Sequence, residues 1–414
     1  MNDFEKERWL DQLPFLTQIY QEEIELSRPF EEAAACFADD RGTVLLQSGS
    51  ELDCSQYHIL AVNPWLEIRS RQDRIDIRLG DQQFVLQQDL FSFIQDLLDR
   101  YRIPADATDL PVLCGLFGYF AYDVKDQIET LPCTCMDTGL PDVYLTAPSA
   151  ILIHDKMQIR TDLCIPVFGK DKNAPPLLEN AMAVKASLFR KLDREPRTGT
   201  FCMQSADFTS SFTKDEYIEA VNKIIRHLKA GDIYQANMSQ RFETGFSGDT
   251  FALFQDLFKR NPASFFAYIN AGDHHIVSTS PERFLKQSGR FVETRPIKGT
   301  IARGTYKEQD IENSRKLAHS IKDDAELTMI VDLMRNDISR VTEHGSVVVT
   351  ENKRLEAYEN VYHLVSIVQG KLSPEKTSVD LIKATFPGGS ITGCPKIRSM
   401  EIIDELESVK RHVY

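Results

Sequence analysis

The sequence predicts an α+β fold in which two large, mainly antiparallel sheets face each other and carry helices on their outer sides. Short segments rich in β-branched residues follow one another between residues 40 and 165, with one helical stretch among them. Groups of helices and groups of strands then alternate over the second half, where glycine and proline separate the strands. Strands that come in groups favour antiparallel pairing over a doubly wound parallel sheet.

The first half of the chain is predicted to be rich in strands. One helix interrupts them between Leu90 and Leu98, where apolar residues recur at helical spacing. The strand candidates are short, and they either alternate apolar with polar residues or consist of β-branched ones. They are Thr43–Leu46, Leu66–Arg69, Ile75–Arg78 and Ile151–His154.

The second half contains the best-marked helix of the sequence. Thr213 and Glu216 have the spacing of a capping box, and Gly231 supplies a stop. Strands are predicted to follow at Ile233–Phe242, Ser264–Ile269, His275–Ser278 and Arg283–Lys286. Further helices are predicted at Lys307–His319, Ile321–Met334 and Lys396–Leu406.

Two loop-like stretches divide the sequence. One contains Pro175 and Pro176, the other runs from Glu195 to Gly199, and a helical segment lies between them. We therefore divide the chain into an N-terminal region, residues 1–170, a connecting segment, residues 171–210, and a second region, residues 211–414.

The composition describes a folded, acidic protein. Of 414 residues, 42% are hydrophobic and 27% charged, which predicts a packed core instead of disorder. The formal net charge of −14 argues against nucleic acid or an anionic membrane as partner. No apolar run approaches the roughly 20 residues that span a bilayer, and the N-terminus lacks the order of a signal peptide. The sequence therefore predicts a cytoplasmic protein.

The eight cysteines are predicted to be reduced thiols, because they are scattered through a long chain without a signal peptide. Cys133 and Cys135 form the closest pair. A CxC pair without a second Cys/His pair is a poor zinc signal, since a structural zinc site needs four ligands.

The stretch from Gly388 to Lys396 resembles a phosphate-binding loop at first sight. It fails the spacing of that motif, because Gly393 is followed by Cys394 and the lysine comes after a proline. What remains is a Gly-rich turn before a helix, which can present backbone N–H groups to a carboxylate or a phosphate. Taken alone, a structural loop is the better interpretation.

Lys298 stands out because it follows an apolar residue and precedes Gly299 in a strand-like context. A lone lysine is usually a solvated surface charge, but a desolvated one can lose its proton and act as a nucleophile. Glu282 lies sixteen residues upstream at a predicted strand start and is equally ambiguous alone.

Glu326 is predicted to share a helical face with Ile330 and Leu333, which should be buried. A carboxylate in that position requires a cation, either an arginine or a metal ion. Mg2+ takes few protein ligands and completes its shell with water and substrate oxygens.

Five segments in order resemble the signature of the chorismate-utilising enzymes, and five linked motifs are highly specific. They are Ser280–Arg283, Arg295–Thr300, Ile330–Asp337, His363–Ser366 and Phe386–Gly393. Cys114–Phe120 and Leu140–Val143 also resemble the N-terminal half of these enzymes, so the resemblance covers nearly the whole chain. It implies a fold like that of anthranilate synthase component I and makes residues 211–414 the chorismate-binding catalytic region.

Two positions sort the chemistry within this family. Isochorismate and salicylate synthases carry a water-activating lysine where this chain has Gln235, so the resemblance makes water an unfavourable nucleophile. Anthranilate synthases generally read Pro-Ile-Ala-Gly-Thr where this chain has Lys298. The lysine resembles the branch of the family that aminates chorismate at C4, on the route to 4-aminobenzoate and folate.

The resemblance also implies the roles of the site residues. Lys298 would attack C2 of chorismate, Glu282 would protonate the departing C4 hydroxyl, and His363 would orient the ring. Glu326 would hold Mg2+ against the ring carboxylate. The implied substrate-binding residues are Gly299, Thr300, Gly389, Ser390, Thr392 and Lys396.

No glutaminase signature is found in the sequence, so the resemblance implies that a glutamine amidotransferase subunit supplies ammonia. Family members run on past the point that corresponds to Tyr414 and add further substrate and metal ligands there. The sequence is therefore expected to be a fragment, with its activity in doubt. The alternatives are anthranilate synthase component I, which aminates C2, and an inactive subunit kept for its partner contact or an amino-acid site.

Overall fold

The structure is a computed structural model. It describes residues 9–103, 109–132, 134–137, 139–169, 171, 177–196, 199–205 and 207–414. The loop prolines Pro175 and Pro176, the segment 197–198 and Cys133 lie outside the described residues.

The strands, in chain order, are β1 (Phe15–Ile24), β2 (Val44–Gln47), β3 (Tyr57–Arg71), β4 (Arg74–Leu79), β5 (Gln82–Gln87), β6 (Phe117–Phe120), β7 (Val143–Asp155), β8 (Arg160–Gly169), β9 (Phe201–Met203), β10 (Thr209–Ser210), β11 (Gln235–Ala236), β12 (Phe242–Glu243), β13 (Phe246–Gly248), β14 (Phe265–Asn270), β15 (His275–Ser280), β16 (Arg283–Ser288), β17 (Phe291–Arg295), β18 (Ile297–Ala302), β19 (Val348–Ala357), β20 (Val361–Lys371) and β21 (Gly393–Cys394).

The α-helices are α1 (Phe30–Ala35), α2 (Leu90–Arg100), α3 (Leu178–Leu192), α4 (Lys214–Ala230), α5 (Thr250–Arg260), α6 (Lys307–Ala318), α7 (Ile321–Ser339), α8 (Ser378–Thr385) and α9 (Lys396–Leu406). Two 3-10 turns, Tyr122–Gln127 and Gly389–Ile391, complete the elements.

The chain forms two compact units, each built from several chain segments. Unit 1 comprises Met1–Phe120, Pro141–Phe201 and Gly248–Ser280, and unit 2 comprises Ala121–Leu140, Cys202–Ser247 and Pro281–Tyr414. Residues 248–280 thus belong to unit 1, although the sequence analysis grouped them with the catalytic region. The predicted three-part division of the sequence stays a prediction.

Unit 1 is organised by a ten-stranded sheet with the central order β1-β8-β7-β3-β2-β14-β15. Neighbouring strands along this order pair antiparallel, and the long β3–β7 pair forms the centre of the sheet. Helices α1, α3 and α5 contribute Phe30, Leu188 and Phe254 to one core, in which Leu60, Leu152 and Phe266 of the sheet are also almost fully buried. The central strands β7 and β8 are buried at nearly every position, which indicates that both of their faces are covered.

Unit 2 is organised by a five-stranded antiparallel sheet with the order β16-β17-β20-β18, in which β19 also pairs with β20. Helices α6 and α7 pack on it through Leu317, Leu327 and Ile338, which are buried against Leu364 of the central strand. The site residues described below all lie in this unit.

The predicted α+β class with mainly antiparallel sheets is confirmed. The capping box of Thr213 and Glu216 is present, Gly231 ends α4 in the left-handed conformation, and α9 has the predicted bounds. The seven described cysteines are free. Among the described residues, no helix combines the length and the apolar character that a membrane crossing requires.

The strand predicted over Ile233–Phe242 is wrong for most of its length. Only Gln235–Ala236 and Phe242–Glu243 are strand residues, and these pair with β21 and β10. A strand requires a partner along its length, and the described residues between these two short ladders pair with no neighbouring strand. The composition of this segment favours strand, but strand forms only where the segment has a neighbouring strand to pair with.

Candidate functional site

A bulge in strand β18 forms the base of the site. Lys298 pairs with Leu364 and Thr300 pairs with His363, so Gly299 is the extra residue between them. Gly299 has a φ of +79°, and a Cβ atom there would come within 2.9 Å of the Asp323 Cβ. The position therefore requires glycine for its backbone conformation and for its close approach to helix α7.

Ser390 brings Glu282 and Lys298 together. Its hydroxyl donates to Oε1 of Glu282 at 2.5 Å, and its carbonyl oxygen accepts from Nζ of Lys298 at 3.3 Å. The backbone N–H of Ile297 also donates to the same glutamate oxygen, at 3.3 Å. Ser390 thus contacts both Lys298, the nucleophile proposed from the sequence, and Glu282, the proposed proton donor.

The electrostatics of Glu282 favour its protonated form. Burial raises the pKa of Glu282 above the usual glutamate value, because it disfavours the carboxylate. The bond from Ser390, the N–H of Ile297 and the charge of Lys298 act in the opposite direction on this pKa. A carboxyl group with a raised pKa keeps more of its proton at neutral pH, which suits it to act as a proton donor.

His363 is held at the other side of the bulge. Its Nδ1 shares a hydrogen bond of 2.9 Å with Oγ1 of Thr300, and its ring meets the edge of Tyr358 at 5.0 Å. Burial lowers the pKa of His363 below the usual histidine value, while the backbone of Gly299 and the charge of Glu356 oppose this change. A neutral, oriented imidazole is the expected state at neutral pH.

The Gly-rich turn is held from within by Thr392 and Lys396, two residues that the sequence analysis predicted as substrate ligands. Lys396 donates to the carboxylate of Asp337 and to the carbonyl oxygens of Thr385 and Pro387, at 2.8 and 2.9 Å for the carbonyls. Thr392 is fully buried and donates to the carbonyl of Gly388 at 3.1 Å. Both residues therefore position the turn, and direct binding of substrate by Thr392 and Lys396 stays a prediction.

The remaining predicted residues of the turn lie where its backbone approaches the site. Gly389 is buried, and a Cβ atom there would come within 2.7 Å of the Leu333 side chain. This close packing fixes the turn against helix α7, so that Ser390 faces Glu282. Direct binding of substrate by Gly299, Thr300, Gly389 and Ser390 stays a prediction.

A buried ion pair near the turn was missed by the sequence reasoning. Arg411 forms a pair with Glu407 in which both side chains are almost fully buried, and it donates to the carbonyl oxygen of Ile391 at 2.7 Å. Its guanidinium also lies 4.5 Å from the ring centre of Tyr122. The four-residue spacing of Glu407 and Arg411 was a visible signal, but the carbonyl that they support could be found only in the fold.

Glu326 lies on helix α7, one turn after Asp323, which contacts the Gly299 bulge. Its side chain is 38% exposed, and the ammonium of Lys322 lies 3.7 Å away. Among the described residues, no group of three His, Cys, Asp or Glu side chains could hold a metal ion by itself. This donor set fits an ion that takes one carboxylate and completes its shell with water and substrate, as Mg2+ does.

Gln235 lies in β11 beside the Gly-rich turn, opposite Cys394. Its Oε1 atom is buried and has no hydrogen-bond partner within the described part of the protein. Burying a hydrogen-bond acceptor without a donor costs free energy, so such atoms are uncommon in folded proteins.

The fold and this arrangement are those of an enzyme of the α+β class, with a lysine amine, a glutamate carboxyl and an oriented imidazole around one bulged strand. The family model described as chorismate binding enzyme matches residues 42–414. The chain therefore belongs to the chorismate binding enzyme family.

Known proteins similar to this chain come from two branches of that family. It is 36% identical to aminodeoxychorismate synthase component 1 of Salmonella typhimurium over 374 residues, which cover 90% of this chain and 79% of that protein. It is 35% identical to anthranilate synthase component 1 of Pseudomonas aeruginosa over 360 residues, or 84% and 72% of the two chains.

Among solved structures, the chain is similar to anthranilate synthase component I from Streptococcus pneumoniae. The TM-score is 0.71 at 27% identity, and the match covers 89% of this chain and 81% of that one. Membership of the family and the α+β fold are thus established. Because the chain is similar to members of both branches, the comparisons do not decide between amination at C4 and at C2. That choice must be argued from the site residues.

Proposed function

We propose that this protein aminates chorismate at C4 to give 4-amino-4-deoxychorismate, the precursor of 4-aminobenzoate in folate biosynthesis. The observation that carries this proposal is the position of Lys298. Its amine donates to the carbonyl oxygen of Ser390, and the hydroxyl of the same serine donates to the carboxyl of Glu282. Anthranilate synthases generally carry alanine at this position of the motif, and a C2 amination has no use for the lysine.

The reaction would proceed through two allylic displacements. The unprotonated amine of Lys298 attacks C2, both conjugated ring double bonds shift by one position, and the C4–O bond breaks. Glu282 gives its proton to the departing hydroxyl, which leaves as water. Ammonia then attacks C4, both double bonds shift back, and the C2–N bond breaks, which restores the free Lys298 amine, while one proton of the new ammonium group returns to Glu282. Chorismate and ammonia thus give the aminated product and water.

His363 and Ser390 would orient these groups. Ser390 holds the Glu282 carboxyl through the hydrogen bond from its hydroxyl, and the ring of His363 is held by its hydrogen bond with Thr300. Gln235 carries a neutral amide that cannot act as a base toward water, which agrees with ammonia as the nucleophile. Holding the reacting groups in place contributes to the rate even where no charge changes.

Mg2+ is proposed as the cofactor, held on the protein side by Glu326. When bound, it would supply a Lewis acid to a carboxylate of the substrate. Glu326→Gln should weaken Mg2+ binding in the presence of chorismate, whereas Asp332→Asn, an exposed carboxylate on the same helix, should not. Equal Mg2+ titration curves for the two variants in calorimetry would remove Glu326 from the site.

Ammonia is proposed to come from a glutamine amidotransferase subunit, as the component number in the names of the relatives suggests. The prediction is that ammonium supports turnover of this chain alone, while glutamine supports it only after the amidotransferase is added. A cytoplasmic location stays a prediction from the sequence.

The test is to incubate the purified protein with chorismate, Mg2+ and ammonium and to identify the product. The C4 and C2 amines have the same mass, so retention time against both standards must decide. The expected product is 4-amino-4-deoxychorismate. Anthranilate or its C2-amino precursor would favour the anthranilate synthase alternative, and chorismate recovered unchanged would favour the inactive subunit.

A variant pair links this product to the proposed nucleophile. Lys298→Ala should abolish most C4 product and shift what remains toward C2 amination. Lys286→Ala, an exposed lysine of β16 in the same sheet, should leave rate and product unchanged. If Lys298→Ala kept the rate and the position of amination, the lysine would be a bystander and the C4 assignment would be lost.

A further inference from the structure

A cleft in unit 1 is distinct in position and chemistry from the site described above. It has a volume of about 230 Å³. Its floor comes from four neighbouring strands in sheet order, β1, β8, β7 and β3, and the end of helix α2 covers one side. The cleft lies within one compact unit and uses no residue of the proposed reaction.

Two β-bulges border this cleft. Trp65 is the extra residue of β3 between the pairs Pro64–Pro148 and Leu66–Ala147. The pairing of β1 with β8 is also shifted between Leu16 and Gln18. A bulge turns a side chain out of the regular alternation, and bulges are common beside binding sites.

Three aromatic rings form the wall of the cleft. Trp65 meets the ring of Phe168 at 4.9 Å and that of Tyr101 at 5.6 Å, both edge to face. All three side chains are only partly buried, so part of their apolar surface faces the cleft. The hydroxyl of Tyr101 donates to the carbonyl of Pro14 at 2.8 Å, which fixes this ring.

The cleft has few polar groups, and the formal charge among its described lining residues is positive. Cys114 lines it as a neutral thiol, since burial raises the pKa of Cys114 to about 11. Among the described lining residues, Arg102 carries the one formal charge, and its side chain is exposed at the rim. An apolar cleft with one cation at its mouth is complementary to a ligand with an apolar body and one negative end.

We infer that this cleft binds a small planar aromatic compound with one anionic group, the ring against Trp65 and the anion toward Arg102. The size agrees, because a cavity of roughly 150 Å³ accepts benzene, and the larger volume here leaves room for a substituent. Ring contacts with the edge-to-face aromatic wall favour a flat, unsaturated body over a saturated one.

The test uses benzoate as the probe and Trp65 as the reporter. The protein has two tryptophans, so Trp9→Phe leaves Trp65 as the single emitter. Benzoate should give a saturable change of emission with a dissociation constant in the millimolar range or below. Cyclohexanecarboxylate, which keeps the charge but not the ring, should bind about two- to tenfold more weakly.

Matched variants test the charge. Arg102→Gln should weaken benzoate by up to about fivefold and leave the neutral benzyl alcohol unaffected. Arg194→Gln, an exposed arginine elsewhere in unit 1, should change neither ligand. If Trp9→Phe does not fold, the same ligands are compared on the unaltered chain by calorimetry and by the thermal midpoint, which benzoate should raise.

Three results would overturn the inference. One is the absence of saturable binding of benzoate at millimolar concentration by either method. The second is equal affinity for benzoate and cyclohexanecarboxylate, which would show that the aromatic wall does not select the ring. The third is equal benzoate affinity in the Arg102→Gln and Arg194→Gln variants, which would show that the anion does not lie at the rim.

Discussion

The buried pair of Lys396 and Asp337 allows a stability prediction that needs no catalytic activity. The Lys396 side chain is 13% exposed and that of Asp337 6%, and the lysine also supports two carbonyl oxygens of the Gly-rich turn. Lys396→Met would leave Asp337 buried without a partner. Removing one member of a buried ion pair typically costs about 3–5 kcal/mol, because the remaining charge is uncompensated.

The pH dependence of this loss has a definite sign. Burial raises the pKa of Asp337, and Lys396 opposes that rise. Without the lysine, the folded pKa of Asp337 should lie still further above the unfolded value of about 3.9. The penalty in Lys396→Met should therefore be complete above the folded pKa and should shrink as pH falls from there toward the unfolded pKa.

The assay must report on unit 2, since both tryptophans, Trp9 and Trp65, lie in unit 1. Hydrogen exchange of peptides that cover 378–406 gives the local opening free energy. Asp337→Leu combined with Lys396→Met should recover much of the loss, because it removes the unpaired charge. The control is Lys229→Met, an exposed lysine in the last turn of α4.

Two results would refute this reasoning. Lys396→Met could exchange as slowly as Lys229→Met, in which case the pair contributes nothing measurable to the turn. The double variant could also be less protected than Lys396→Met alone, in which case the loss does not come from the unpaired carboxylate.

Three further predictions concern the same unit. Ser390→Ala removes a donor to the Glu282 carboxylate, so the pKa of Glu282 should rise further. The high-pH limb of kcat/KM, measured at constant free ammonia, should then move to higher pH, and an unchanged limb would exclude the bond from this role. Gly299→Ala should cost more stability than Gly345→Ala, because both positions have positive φ but only the first Cβ meets other atoms; equal thermal midpoints would contradict the close packing. The arginines around Glu293 hold the pKa of its carboxyl at about 2. Its contribution to stability is therefore complete above the unfolded pKa of about 4.3 and is lost as the pH falls toward 2. Glu293→Gln should flatten this part of the acid unfolding curve, and an unaltered curve would refute the assignment.

The sequence alone determined the features that depend on local chemistry. The capping box at Thr213 and the stop at Gly231 predicted helix α4, because both satisfy backbone groups within a few residues. The ordered motifs around Lys298 and the Gly-rich turn predicted the family, which the comparison confirmed. The requirement for glycine at Gly299 was also foreseeable in part, since glycine after a strand-like lysine suggests a bulge.

Only the tertiary structure decided what depends on partners distant in sequence. The expected strand at Ile233–Phe242 is mostly absent, because its ends pair with different short strands and its middle pairs with none that the structure describes. The structure also shows that Lys396 holds carbonyl oxygens of the turn and that Ser390 contacts both Glu282 and Lys298, neither of which the sequence indicated. Local spacing specifies where a side chain can point, but the groups that satisfy it are supplied by segments that folding brings together from about a hundred residues away.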